Sequence, residues 1–152
     1  MIELDAEDNK LLVLARGAMG RTGGTGGAAV RDSDGRTYAA GTVELVALKL
    51  TALQSAVAAA ISSGAGGFEA AVVVAGKLSD LGVSAVREVS PSARIIFTDV
   101  KGAVFEVLEA DSPRDYGVEN PIATQRPAPG DAAGEREVPA GLDLKSESEV
   151  FE

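Results

Sequence analysis

The chain has 152 residues and contains no cysteine, no histidine and no tryptophan. Without cysteine there is no disulfide framework, no iron–sulfur cluster and no thiolate nucleophile. Without cysteine or histidine the usual zinc sites cannot be assembled. Without histidine there is no Ser-His-Asp triad and no imidazole to exchange protons near neutral pH. Aromatic residues make up only 4% of the chain, too few for a base-stacking platform, and the net charge of −9 repels a phosphate backbone. Nucleic acid is therefore not expected as a partner. No apolar run of the roughly 18 residues needed to cross a bilayer occurs, so no membrane partner is expected. The start, Met1-Ile2-Glu3-Leu4-Asp5, lacks the basic and long apolar regions of an export signal, which makes the expected location cytoplasmic.

What is present is unevenly distributed. Residues 111–152 carry 10 acidic against 4 basic side chains and five of the six prolines, Pro113, Pro121, Pro127, Pro129 and Pro139. The aliphatics there follow no helix or strand period, so the segment has little apolar area to set against its ordering entropy. The expected organisation is one domain over 1–112 and an acidic Pro/Gly-rich tail over 113–152. That tail is either a solubiliser or a docking peptide for a protein partner, with Leu142-Asp143-Leu144 or Val150-Phe151 as anchors. Arginine outnumbers lysine 9 to 5 and alanine and glycine abound, a composition typical of a bacterium with a GC-rich genome.

Within the domain, Asp8 or Asn9 is placed to cap a first helix that ends by Gly20, where five glycines fall in eight residues. Ala28–Arg31 and Arg36–Gly41, separated by Asp34-Gly35, read as a hairpin. Val46, Leu50, Leu53, Val57 and Ile61 form a helical stripe, which predicts a long helix from Val43 to Ser63 ended by Gly64. The apolar run Phe68–Ala75 reads as a strand covered on both faces. Ser79 or Asp80 caps a short helix over 81–89 that Pro91 stops. Arg94–Thr98 and Ala103–Leu108 are further strands, and their short connection requires antiparallel pairing. The order predicts an α/β fold, a three-layer α/β/α sandwich around a five-stranded mixed sheet.

This layout resembles the cytidine deaminase family. Gly26-Gly27-Ala28-Ala29-Val30 stands where the family reads V-G-A-A-L, and Asp34-Gly35 where it has its hairpin turn. Thr42-Val43-Glu44 stands on the N-x-E segment that holds the ribose. Counting back from Gly64 sets Thr51-Ala52-Leu53 on C-A-E, with two residues deleted between Glu44 and Thr51. The zinc cysteine then falls on Thr51 and the proton-shuttling glutamate on Leu53. The later P-C-x-x-C element falls on Asp80-Leu81-Gly82-Val83-Ser84, so Leu81 and Ser84 replace the other two cysteines. The aromatic partner of the base falls on Gly24. The resemblance spans about residues 8–110, and it implies a homo-oligomer. Some other small α/β sandwich is the alternative fold.

Zinc deamination needs a metal to lower the pKa of bound water and a carboxylate to move its proton. The residues at those positions lead to the expectation of a catalytically inactive relative, not an enzyme, acting as a binding or assembly module with no metal and no cofactor. The alternative is a metal-free enzyme or nucleoside-binding protein using the remodelled pocket. The candidate ligand residues are Thr42, Glu44, Thr51 and Ser84; no catalytic residue is assigned. Gly24–Ala29 matches G-x-G-x-x-A formally, but a helix precedes it and a strand follows, the reverse of a dinucleotide site. Lys49 with Thr51, and Lys77 with Ser84, are too poorly placed in the sequence to mark an activated nucleophile.

Overall fold

The computed structural model describes residues 2–110. The tail expected over 113–152, with its candidate anchors, lies outside the described residues. Ten elements follow in order: α1 (Ala6–Thr22), β1 (Gly27–Asp32), β2 (Thr37–Gly41), β3 (Val43–Glu44), β4 (Lys49–Leu50), α2 (Ala52–Ser62), β5 (Phe68–Val74), α3 (Leu81–Val89), β6 (Arg94–Thr98) and β7 (Val104–Leu108).

Five strands form one mixed sheet in the order β2-β1-β5-β6-β7. β1 pairs antiparallel with β2 and β5, β5 pairs parallel with β6, and β6 pairs antiparallel with β7. Alternation along the strands divides the core between two faces. Ala28, Val30, Ala71, Val73, Ile95 and Phe97 point to one face and pack against Leu53, Ala56, Val57 and Ala60 of α2 and Val86 of α3. Ala29, Ala70, Val72, Val74 and Ile96 point to the other and meet Leu11 and Ala15 of α1. The result is the three-layer α/β/α sandwich, with the last two strands antiparallel. On the α1 side the approach is close: a Cβ at Gly27 would lie 2.1 Å from the Ala15 carbonyl oxygen.

Two elements depart from the sequence reading. The cap of α1 is Asp5, whose carboxylate accepts the Asp8 N–H at 2.8 Å. Asp8 lies one turn further in, 1% exposed, and Asn9 is also helical. Asp8 cannot cap because its side chain is committed to arginines across the fold, Arg31 and Arg94.

The long helix expected from Val43 to Ser63 is the larger correction. Its first third is a small hairpin, with Val43 opposite Leu50 and Glu44 opposite Lys49. Helix α2 begins only at Ala52. The physical reason is a capping box at 51–54: the Thr51 hydroxyl accepts the Gln54 N–H at 3.0 Å, and the Gln54 side-chain oxygen accepts the Thr51 N–H at 2.9 Å. The stripe continues across this boundary by coincidence. Leu53 and Val57 are buried, whereas Val46 is fully exposed at the hairpin tip.

The hairpin between β1 and β2 is set by Asp32. Its Oδ1 accepts the N–H groups of Asp34 and Arg36, both at 2.9 Å, and its Oδ2 accepts the Tyr38 hydroxyl at 2.9 Å. Burial by itself would raise the Asp32 pKa. The Arg36 N–H, the Tyr38 hydroxyl and the Asp34 N–H outweigh it and hold the carboxyl below its ordinary value. Among the described residues no helix is long and apolar enough to cross a membrane.

Candidate functional site

The C-terminal ends of β5 and β6 lie at one end of the sheet, and there the chain leaves β5 through an unusual turn. Ala75 takes φ 60, the only positive φ among described non-glycine residues, while its N–H donates to the Thr98 carbonyl at 2.8 Å. A non-glycine residue held in this region costs on the order of 1–3 kcal/mol, and residues of this kind cluster at functional sites. Gly76 follows against the core: a Cβ there would lie 2.4 Å from Val73 Cγ1.

Above this turn opens a cavity of about 440 Å³. One wall is the small hairpin, which contributes Val43, Glu44, Lys49 and Leu50. The opposite wall is the stretch 75–81, with Lys77, Ser79, Asp80 and Leu81. Thr25 and Gly26, from the glycine-rich connection, and Thr42 close the side. The start of α2, with Thr51, Ala52 and Gln54, faces the opening as well. The volume is within the usual range for a small-molecule site, and the lining mixes apolar surface with a few polar groups.

Three of the four residues singled out in the sequence, Thr42, Glu44 and Thr51, line this one cavity. Ser84 does not; it is exposed, one turn into α3. Sequence reasoning passed over Gln54, Lys49, Lys77 and Asp80 as site residues. For Gln54 the T-x-x-Q spacing was a readable signal. Asp80 reads in the sequence as a helix cap and as the first position of the P-C-x-x-C element. The lysines were weighed solely as partners of a nucleophile.

The charged groups of the cavity are not paired with one another. Among the described residues none of Glu44, Lys49, Lys77 and Asp80 forms an ion pair. The hydroxyl of Thr51 is engaged as both donor and acceptor. It accepts from Gln54 and donates to Asp80 Oδ1 at 2.8 Å. Asp80 Oδ1 also accepts the Gly82 N–H at 2.7 Å, which caps α3. At the other two positions that the resemblance assigns to zinc ligands stand Leu81, an aliphatic side chain 70% exposed, and Ser84 outside the lining. Leu53, on the position of the proton-shuttling glutamate, is fully buried beneath Gly82. Among the described residues no three Asp or Glu side chains come together as a metal-binding group.

The cytidine deaminase-like family model matches residues 4–102. The chain belongs to that family. Among solved structures it is similar to the cytidine deaminase of Burkholderia pseudomallei, with 21% identity and a TM-score of 0.59 over 70% of this chain and 94% of that one. It is similar also to the cytidine deaminase of Mycobacterium tuberculosis, with 25% identity and a TM-score of 0.52 over 61% of this chain and 85% of that one. The cytidine deaminase of Bacillus anthracis matches at 16% identity and a TM-score of 0.52, over 76% of this chain and 95% of that one. No curated protein matches the sequence significantly. These findings correct one expectation. The chain was expected not to be an enzyme, because it has no cysteine or histidine. Its family and the deaminase structures it matches point to an enzyme. The missing residue types remove one way of building a catalytic centre, not catalysis itself.

Proposed function

We propose that the cavity takes a nucleoside-class ligand and holds it without zinc. The observation that carries this reading is the convergence of Thr42, Glu44 and Thr51 on a single open cavity in a chain of the cytidine deaminase-like family. Glu44 is exposed and has no partner among the described residues, so its carboxylate is free to accept from a ribose hydroxyl, with Thr42 beside it. The donor set argues against zinc: a hydroxyl already spent on two hydrogen bonds, an aliphatic side chain and a serine outside the cavity are not zinc ligands. No step of the chemistry is routed through a metal in this reading. Ser84 has no part in it.

Calorimetric titration of the full chain with cytidine and uridine tests the reading, with metal content measured on the same sample. Saturable binding at one site is expected. Glu44→Gln should weaken it about tenfold, the usual worth of a hydrogen bond to a charged group. Chromatography of the same mixture reads whether the nucleoside is converted. Failure of every nucleoside to bind overturns the ligand, and stoichiometric zinc overturns the metal-free site.

A second reading, assembly with further copies of the chain, is favoured by the hairpin tip. Leu45, Val46 and Leu48 stand 59%, 101% and 49% exposed within four residues. Large aliphatics concentrated in this way on a surface are a common mark of an interface. Sedimentation of the wild type should show an oligomer, and Val46→Glu should shift it towards monomer.

A further inference from the structure

We propose that Thr51 and Asp80 form a protein-only pin between the N-termini of α2 and α3, and that this pin aims the second oxygen of Asp80 at the ligand. The two residues are 29 apart in sequence and each caps a different helix. A cap needs only to satisfy its own helix. Here the two are fused. The Gln54 N–H donates to Thr51 Oγ1, the Thr51 hydroxyl donates to Asp80 Oδ1, and the Gly82 N–H donates to the same Oδ1. One continuous hydrogen-bonded path thus runs from the first turn of α2 to the first turn of α3.

The contact beneath the path is equally close. A Cβ at Gly82 would lie 2.7 Å from Leu53 Cγ, so glycine at 82 lets α3 settle directly on α2. The pin spans the place where the family resemblance would put a metal, and it joins the two helices using only side chains the sequence possesses. Chemically it is a neutral donor on a carboxylate, a hydrogen bond strengthened by the acceptor's charge.

The pin also fixes Asp80. With Oδ1 held from two directions, Oδ2 has no hydrogen-bond partner among the described residues, and Asp80 lines the cavity. Its chemistry is that of an acceptor for a ligand N–H or O–H, such as an exocyclic amine or a sugar hydroxyl. The aim of Oδ2 rests on the nucleoside reading; the pin itself does not.

A double-mutant cycle on the full chain tests the pin. Thr51→Val and Asp80→Ala each lose their own cap, and those losses are independent. The pin is the remainder, and it should appear as a coupling of roughly fivefold in the unfolding constant measured in urea. Thr51→Ser keeps the hydroxyl and should restore the midpoint to near wild type. Excess chelator should leave the wild-type midpoint where it was. Strictly additive losses, or a midpoint that falls with chelator, overturn the pin. Asp80→Asn, which retains an oxygen for Thr51, tests the aim: cytidine should bind about tenfold more weakly while the fold stays near wild-type stability. Unchanged binding overturns the aim. Should the wild type bind no nucleoside, the aim falls with that reading, and the cycle still decides the pin.

Discussion

The two ends of the central sheet treat charge in opposite ways. At the end where β1 finishes and β6 begins, Asp8 is buried to 1% exposure and shared by Arg31 and Arg94, and Arg31 reaches on to Glu69 at 2.8 Å. At the other end, where β5 runs out into Ala75, the four charged side chains of the cavity make no ion pair among the described residues. One end spends its charges on internal partners. The other leaves them without an opposite charge, with Asp80 held only by neutral donors. The division arises only when the strands bring distant positions to one end.

Removing a charged side chain therefore has very different consequences at the two ends. Asp8→Ala removes the buried carboxylate that Arg31 and Arg94 share, leaving Arg31 only Glu69 and Arg94 no acidic partner among the described residues. Loss of one partner from a buried ionic group costs about 3–5 kcal/mol, and the partial exposure of Arg94 places the expectation near the lower figure, about 3 kcal/mol. Lys77→Ala at the cavity should change stability by no more than about 0.5 kcal/mol. Urea unfolding of the two variants beside wild type measures both. Equal losses would erase the distinction.

A smaller effect separates charge from backbone strain. The cavity end holds Ala75 in the left-handed region, and the residue is exposed, so packing does not complicate its replacement. A β-branched side chain tolerates this conformation worse than alanine does. Ala75→Val should therefore cost about 1–2 kcal/mol, whereas Ala75→Gly should fall within about 0.5 kcal/mol of wild type, since relief of strain offsets the added chain entropy. Thermal midpoints of the pair decide it. A valine variant as stable as wild type would mean that the turn relaxes freely and that the cavity floor is soft.

The sequence carried the sheet well and the boundaries of the cavity poorly, for physical reasons. Uniform apolar runs such as 70–74 and 95–97 admit little except buried strands, and Asp34-Gly35 admits little except a turn. Residues 43–50 are different. Val43, Val46 and Leu50 happen to keep a helical spacing, and nothing in that spacing reports that Thr51 and Gln54 close a box that stops the helix there. The site shared this fate. Thr42, Glu44 and Thr51 were found through a family resemblance, while Asp80 needed a contact across 29 residues that no local pattern contains.

The weakest expected effect is one of pH, and it belongs to the paired end. Asp32 sits there, opposite Phe68, with its carboxyl held below the ordinary value. A depressed carboxylate adds stability that is fully present above its unfolded pKa of about 4 and is lost as pH falls through the folded value. Wild type should therefore lose stability below about pH 4 more steeply than Asp32→Asn, whose amide does not titrate. The variant starts lower at pH 7, because it gives up the charge on the bonds from Asp34 and Arg36, and the two curves converge as acid protonates the native residue. Urea midpoints between pH 2 and pH 7 give the comparison. Parallel curves would place the acid sensitivity of the fold elsewhere and leave the Asp32 hairpin as a neutral turn.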